Sequence, residues 1–165
     1  RAVDAEAGLP NGSTSYYARS RRDLIRLVME QLSAESQADL TDIEVPGKLT
    51  VRQATDLVGR LAERLILNGD AQAARFALMF EVRDDDELRR ELTVDAPVRR
   101  SFDEKAVELL RALGVADPEE KAPEFVALVD AVLMYRAVDA APIDPAGVVE
   151  TYLDGLVRRK PTAAL

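Results

Sequence analysis

The side chains best suited to contact a macromolecule lie on either side of a tight turn near the start of the sequence. Leu9-Pro10-Asn11-Gly12 has the composition of a turn, and residues 2–7 and 13–18 can each form a short helix. Two short helices joined by a glycine-containing turn form a helix-turn-helix, whose second helix presents its first residues to base edges in the major groove of DNA. The pattern indicates a DNA-reading segment, although an ordinary exposed loop with two surface tyrosines has the same composition.

Hydroxyl, amide and guanidinium groups follow one another closely after this turn. We expect the side chains of Ser13, Thr14 and Tyr16 to contact bases or the adjacent phosphates. The side chains expected to position the DNA backbone are Asn11, Tyr17, Arg19 and Arg21. Residues 1–26 carry five basic and three acidic side chains, whereas the whole chain has a formal net charge of −8. Such a charge asymmetry between a basic head and an acidic body can mark an interaction surface.

Residues 7–24 also follow, without a gap, the order of small, apolar, glycine and aromatic positions of a known family. The matching positions are Ala7-Gly8-Leu9, Gly12-Ser13-Thr14, Tyr16, Ser20-Arg21 and Leu24. At these positions the chain resembles the tetracycline-repressor-like (TetR) family of bacterial transcription regulators. The chain departs from the family pattern at three positions. It has Ser15 where the family usually has tyrosine, Tyr17 where histidine is common, and Ala18 where phenylalanine is usual.

The resemblance implies a dimeric repressor that binds a palindromic operator in double-stranded DNA and is released by a small-molecule inducer. It implies a helix-turn-helix head with its connecting helix over residues 1–42, with the family's first helix ahead of Arg1. A helical regulatory and dimerisation domain would then occupy residues 43–165. The resemblance also implies a cytoplasmic location.

Helical periodicity dominates the whole sequence and predicts an all-α fold, in which an antiparallel helical body follows the head. Residues 71–82 are apolar nearly all round, which is typical of a helix buried on most sides. Pro97 should end or kink a helix near Ala96. Capping residues and prolines predict helix starts at Ser20, Thr50, Asp144-Pro145 and either Asp117-Pro118 or Ala122-Pro123.

The central helices contain the candidate residues for an inducer pocket, a feature that the resemblance implies. The apolar and aromatic candidates are Phe76, Met79, Phe80, Phe102, Met134 and Tyr135. Arg83 is a candidate polar partner that could fix the orientation of a ligand. With four phenylalanines and four tyrosines in the chain, a modest apolar cavity is favoured over a large flat one. Plain core packing is the alternative for all six apolar side chains.

Two apolar stripes late in the sequence predict a homodimer through helices at about residues 123–138 and 145–159. The residues expected at this interface are Val129, Val132, Val148, Val149, Tyr152, Leu153 and Leu156. The last stripe is broader than one neighbouring helix usually needs, and by resemblance two such helices from each subunit form a four-helix bundle. The alternative is that both stripes face the core of a single protomer.

The residue types that are missing narrow the function classes. The sequence contains no cysteine, histidine or tryptophan, so thiol chemistry, zinc sites of the Cys/His type and imidazole-based catalysis are excluded. Asp84-Asp85-Asp86-Glu87 lacks the ligand spacing of a calcium loop and is expected to be a helix cap. We therefore expect that the chain binds no metal and no cofactor and has no enzymatic activity. No apolar run is long enough to span a membrane, so no membrane partner is expected.

One alternative from another class is a helical module that binds proteins or small molecules without DNA. The distance between the two heads of a dimer distinguishes a DNA-binding regulator from such a module, because the recognition helices of a dimer on DNA lie roughly 34–36 Å apart.

Overall fold

Helices account for all the regular secondary structure of residues 1–158, which are the residues that the computed structural model describes. The helices are α1 (Ala2–Glu6), α2 (Ser13–Tyr17), α3 (Arg21–Thr41), α4 (Val51–Leu67), α5 (Gly69–Glu81), α6 (Asp86–Leu92), α7 (Pro97–Ala112), α8 (Pro118–Ala137) and α9 (Pro145–Arg158). The predicted all-α fold is confirmed. The predicted end of the last helix near residue 159 lies outside the described residues. None of the described helices is long and apolar enough to cross a membrane.

The first residues of α3 and α4 are fixed by the capping residues that the sequence predicts. The Asp23 N–H donates to Ser20 Oγ at 3.1 Å, and the Ser20 N–H donates back to Asp23 Oδ2 at 2.9 Å. Thr50 and Gln53 form the same reciprocal pair at the start of α4. Each pair provides partners for donors that a helix start leaves unsatisfied, so both helices begin at defined residues.

Two prolines are the first residues of helices. α6 ends at Leu92, and Pro97 opens α7 instead of kinking a continuous helix. Of the two starts left open for α8, the structure uses Asp117-Pro118, and Pro123 lies inside the helix. Proline suits the first helical position because its fixed φ fits a helix and its missing N–H would have no partner there.

Three apolar clusters hold the helices together. The largest joins α4, α7, α8 and α9 and contains Leu110 and Leu153, which have no exposed surface. The second joins the end of α3 to α4, α5 and α8. The third packs Ile25 and Met29 of α3 against Val82 and Leu88 at the end of α5 and on α6. α3 therefore follows α2 in the chain and packs along its length against the body.

Candidate functional sites

A buried carboxylate holds the two short helices of the head together. Asp4 on α1 has no exposed surface, and its Oδ2 accepts a hydrogen bond from the Gly12 N–H at 2.8 Å. Its Oδ1 accepts from the Thr14 N–H at 2.7 Å and from the Thr14 hydroxyl. The bonds from the Thr14 hydroxyl and N–H, followed by that from Gly12, lower the pKa of Asp4 below its ordinary value of 3.8. Asp4 therefore caps α2 from the neighbouring helix.

A short turn with a left-handed glycine joins α1 to α2. Gly12 has φ of 95°, a left-handed conformation that residues with a side chain rarely adopt. The Ser13 hydroxyl donates to the Pro10 carbonyl at 2.7 Å and closes the turn. Ser13 and Thr14 are half-buried with their hydroxyls engaged inside the head. The structure thus places these two predicted base contacts at the turn and not on the outer side of α2.

The outer side of α2 carries two aromatic rings. Tyr16 is 83% exposed and Tyr17 is 76% exposed, and the ring centroids lie 5.1 Å apart in an edge-to-face arrangement. Asn11 and Arg19 are exposed as well, whereas Ala18 is buried beneath α2. With Arg21, five of the seven predicted DNA contacts are therefore exposed. Ser15, which departs from the family pattern, is also exposed.

Ion pairs connect the start of α3 to the acidic segment from the end of α5 to α6. Their N···O distances are 2.7 Å for Arg21–Glu81, 3.0 Å for both Arg22–Asp85 and Arg22–Glu87, and 2.7 Å for Arg26–Glu91. We call these seven residues the α3–α6 ion-pair cluster. Hydrogen bonding between Arg26 and Glu91 raises the pKa of Arg26 and lowers that of Glu91. Arg21, a predicted phosphate contact, therefore has a carboxylate partner within the protomer.

A cavity of about 420 Å³ lies among α3, α4, α5, α7 and α8. This volume falls within the roughly 300–1,000 Å³ of small-molecule sites, and most of the lining side chains are aliphatic. From α3 it is lined by Met29, Leu32 and Leu40, and from the segment between α6 and α7 by Thr93 and Val94. The cavity therefore touches the helix that continues from the head.

Two of the seven predicted ligand residues, Met79 and Phe102, line this cavity. The other five lie outside its lining: Phe76 and Met134 pack in the second apolar cluster, and Phe80, Arg83 and Tyr135 are exposed. The physical reason on α5 is helical phase. Gln72, Arg75 and Met79 share the cavity side at i, i+3 and i+7, so the phenylalanine positions, one residue further along, are turned to neighbouring faces.

Charged side chains form a connected row in the wall of the cavity. The Arg75 Nη2 donates to Asp130 Oδ1 at 2.7 Å, and the Arg75 Nε donates to Gln72 Oε1 at 3.0 Å. Asp130 Oδ2 lies 3.6 Å from Arg99 Nη1, and Arg99 Nε donates to Asp103 at 3.2 Å. Sequence reasoning missed these residues, although polar pairs at i, i+3 and i, i+4 on largely apolar helices were a usable signal.

Comparison with known families agrees with this architecture. Residues 49–159 match the family model described as tetracyclin repressor-like, C-terminal domain. The chain belongs to the TetR family. The match confirms the predicted family from a part of the chain other than residues 7–24. It covers α4 to α9 and most of the residues that line the cavity. No curated relative and no solved structure matches the chain.

In this TetR-family chain the residues predicted for dimerisation do not share one surface. Val132, Val149 and Leu153 are buried within the protomer. Val129, Tyr152 and Leu156 pack partly against the same core, and Val148 is half-buried. The reason is that α9 turns its apolar stripe toward α4 and the main core.

A different apolar face of the TetR-family chain remains on the outside. The outward positions of α8 are occupied by Ala127, Leu128, Ala131 and Tyr135, and Val138 follows the helix; all but Leu128 are exposed. On α9, Thr151 and Gly155 are exposed beside it. We call these seven residues the α8–α9 outer face. A helix that is apolar on all sides is usually covered on all sides.

Proposed function

We propose that the chain is a dimeric DNA-binding transcription regulator, with a DNA-reading head over residues 1–42, and that a small molecule in the cavity releases it from its operator. The observation that carries this proposal is the course of α3. Its first turn directly follows α2, and Met29 and Leu32, two turns further on, line the cavity. A ligand that fills the cavity differently in two conformations therefore acts on the helix that carries the head.

Tyr16 and Tyr17 are the proposed contacts in the major groove, because their rings and hydroxyls are the most exposed groups of α2. Ser13 and Thr14 position α2 through the turn. Asn11 and Arg19 contact the backbone on either side, where a phosphate finds an exposed amide and guanidinium. Arg21 joins them when a phosphate replaces Glu81 as its partner.

The proposed dimer uses the α8–α9 outer face. A second copy supplies the apolar partner that this face lacks within the protomer, and a two-fold axis matches a palindromic operator. Replacing Ala131 by arginine should convert the dimer to a monomer in sedimentation velocity, because a charge would be buried at the interface. Ala77→Arg, on an exposed position of α5, is the matched control and should leave the dimer intact.

DNA binding is tested by selection from a pool of random duplexes, followed by sequencing of the bound fraction. We expect a palindromic sequence with half-site centres about 10 base pairs apart. On that duplex, Arg19→Ala should weaken binding and reduce the slope of log affinity against log salt by about 1. Arg52→Ala, at an exposed position of α4, should leave both unchanged. A pool without enrichment after several rounds would contradict the proposal.

A further inference from the structure

The cavity has the volume and the lining of a site for a largely apolar molecule. Aliphatic side chains from α3, α4, α7 and α8 form most of its surface. At roughly 30 Å³ for each water-sized group, a volume of about 420 Å³ holds about 14 non-hydrogen atoms. This corresponds to an alkyl chain of medium length with a small head group, or to a molecule of similar size.

Most of the hydrogen-bonding groups in the polar wall that still lack a partner are N–H donors. Asp130 already has a guanidinium nitrogen near each oxygen, at 2.7 Å from Arg75 and 3.6 Å from Arg99. Arg75 and Arg99 each use their Nε and Nη2 groups for hydrogen bonds to described residues. Because a guanidinium has five N–H groups, both arginines retain unused donors.

The charges in the cavity lining point the same way. The lining contains three cationic side chains, Arg75, Arg99 and Lys105, and two anionic ones, Asp103 and Asp130. Asp103 Oδ1 is buried and has no hydrogen-bond partner among the described residues, but it lies 3.2 Å from Arg99 Nε, which compensates its charge. Lys105 is itself paired with Glu108 at 2.9 Å, so Arg75 and Arg99 are the cations of the wall that an added anion would meet.

A cationic head group would have to compete with existing partners. An ammonium group at Asp130 would displace a guanidinium and leave it unpaired in a half-buried wall, which is costly. An ammonium group at Asp103 Oδ1 would lie beside Arg99 Nε, which is 3.2 Å from that oxygen, and the two cations would repel each other. A carboxylate can instead accept a forked pair of hydrogen bonds from a guanidinium without breaking the present ion pairs.

From these observations we propose that the cavity binds an amphipathic carboxylate, with its apolar chain among the aliphatic side chains and its carboxylate at Arg75 and Arg99. The inference rests on the proposed function, since it names the ligand class of the proposed regulatory cavity. The same two arginines then determine specificity between molecules that share an apolar chain.

The test compares three ligands that differ only in the head group: decanoate, 1-decanol and decylamine. Binding is measured by titration calorimetry at neutral pH, below the concentration at which each compound forms micelles. We expect decanoate to bind about tenfold or more tightly than decanol, since its bonds to arginine are charge-assisted, and decylamine to bind most weakly. Decanoate binding no tighter than decanol, decylamine binding as tightly as decanoate, or no binding by any of the three would overturn the proposal.

Variants of the wall then locate the head group. Arg75→Gln and Arg99→Gln should lower the affinity for decanoate to that for decanol, while decanol binding stays unchanged and shows that the cavity is still formed. Arg75→Lys should keep part of the preference, because it retains the charge but loses the fork. Arg83→Gln, outside the cavity, is the control and should change neither affinity. A preference for decanoate that survives both glutamine variants would contradict the placement of the carboxylate.

A DNA-binding measurement on the same preparation separates this proposal from the proposed function. Selective decanoate binding by a protein that enriches no duplex would refute DNA regulation and retain the ligand class. Enrichment of a palindrome by a protein that binds none of the three compounds would refute the ligand class and retain DNA regulation.

Discussion

The head and the body of this chain are stabilised by different interactions. Within residues 1–20, Asp4 and Ala18 are the buried residues, and the arrangement of α1 and α2 depends largely on hydrogen bonds to one carboxylate. The body has a continuous apolar core around Leu110 and Leu153. Regions with few buried apolar contacts open locally at low free-energy cost. We therefore expect substitutions to affect the proposed DNA reading and the global folding one at a time.

The largest expected effect is on the body. Leu110→Ala removes a fully buried side chain from the main core and should lower the free energy of unfolding by roughly 2–5 kcal/mol. Urea denaturation followed by circular dichroism measures this change. Leu67→Ala is the control, since Leu67 is 88% exposed and its loss should cost little. Equal midpoints for the two variants would contradict the assignment of the core.

The next effect concerns the head alone. Asp4→Ala removes the acceptor of the Gly12 and Thr14 groups, so α2 should lose its position and DNA affinity should fall by roughly tenfold or more. The urea midpoint of the body should stay at the wild-type value. Fluorescence anisotropy with the selected duplex gives the affinity, and Glu6→Ala, an exposed carboxylate on the same helix, is the control. A shifted body midpoint would show that head and body unfold together.

A smaller effect comes from the junction between the two regions. Glu81→Gln releases Arg21 from its 2.7 Å ion pair, so one more cation is available to phosphate. DNA affinity should rise at low salt, and the slope of log affinity against log salt should become steeper by about 1. Glu63→Gln on α4 lies outside the α3–α6 ion-pair cluster and should change neither quantity. An unchanged slope for Glu81→Gln would show that Arg21 does not contact the backbone.

The smallest effect is the pH response of the head. Because the pKa of Asp4 is lowered on folding, its ionised form stabilises the head above the ordinary value of 3.8, and this contribution is lost as the pH falls through the lowered value. The Gly12 amide resonance in NMR spectra should therefore keep its folded position at pH 4.5 and move only in stronger acid. In the Asp4→Asn variant this transition should be absent. A Gly12 transition above pH 4.5 would contradict the direction of the shift.

The sequence predicted features that depend on neighbouring residues. The starts of α3 and α4 follow from Ser20 and Thr50, because capping is a local interaction. The cavity lining depends instead on how α5 is rotated about its axis. Residues 71–82 are apolar nearly all round, so their sequence contains little information on which side of the helix faces inward. The sequence predicts Phe80 as a cavity residue, whereas in the structure Arg75 lines the cavity and Phe80 is exposed. The structural role of Asp4 depends on a contact between two helices and had no local sequence signal.

The unbroken course of α3 also has a mechanical consequence. At roughly 1.5 Å per residue, the stretch from Arg21 to Met29 acts as a lever arm of about 12 Å. If a ligand tilts α3 by about 10° at the cavity, Arg21 moves by about 2 Å, and in the proposed dimer the two heads together change their separation by up to about 4 Å. On a DNA duplex, successive major grooves on one side repeat every roughly 34–36 Å. A displacement of about one atomic diameter per head is thus enough to put the two α2 helices out of register with DNA.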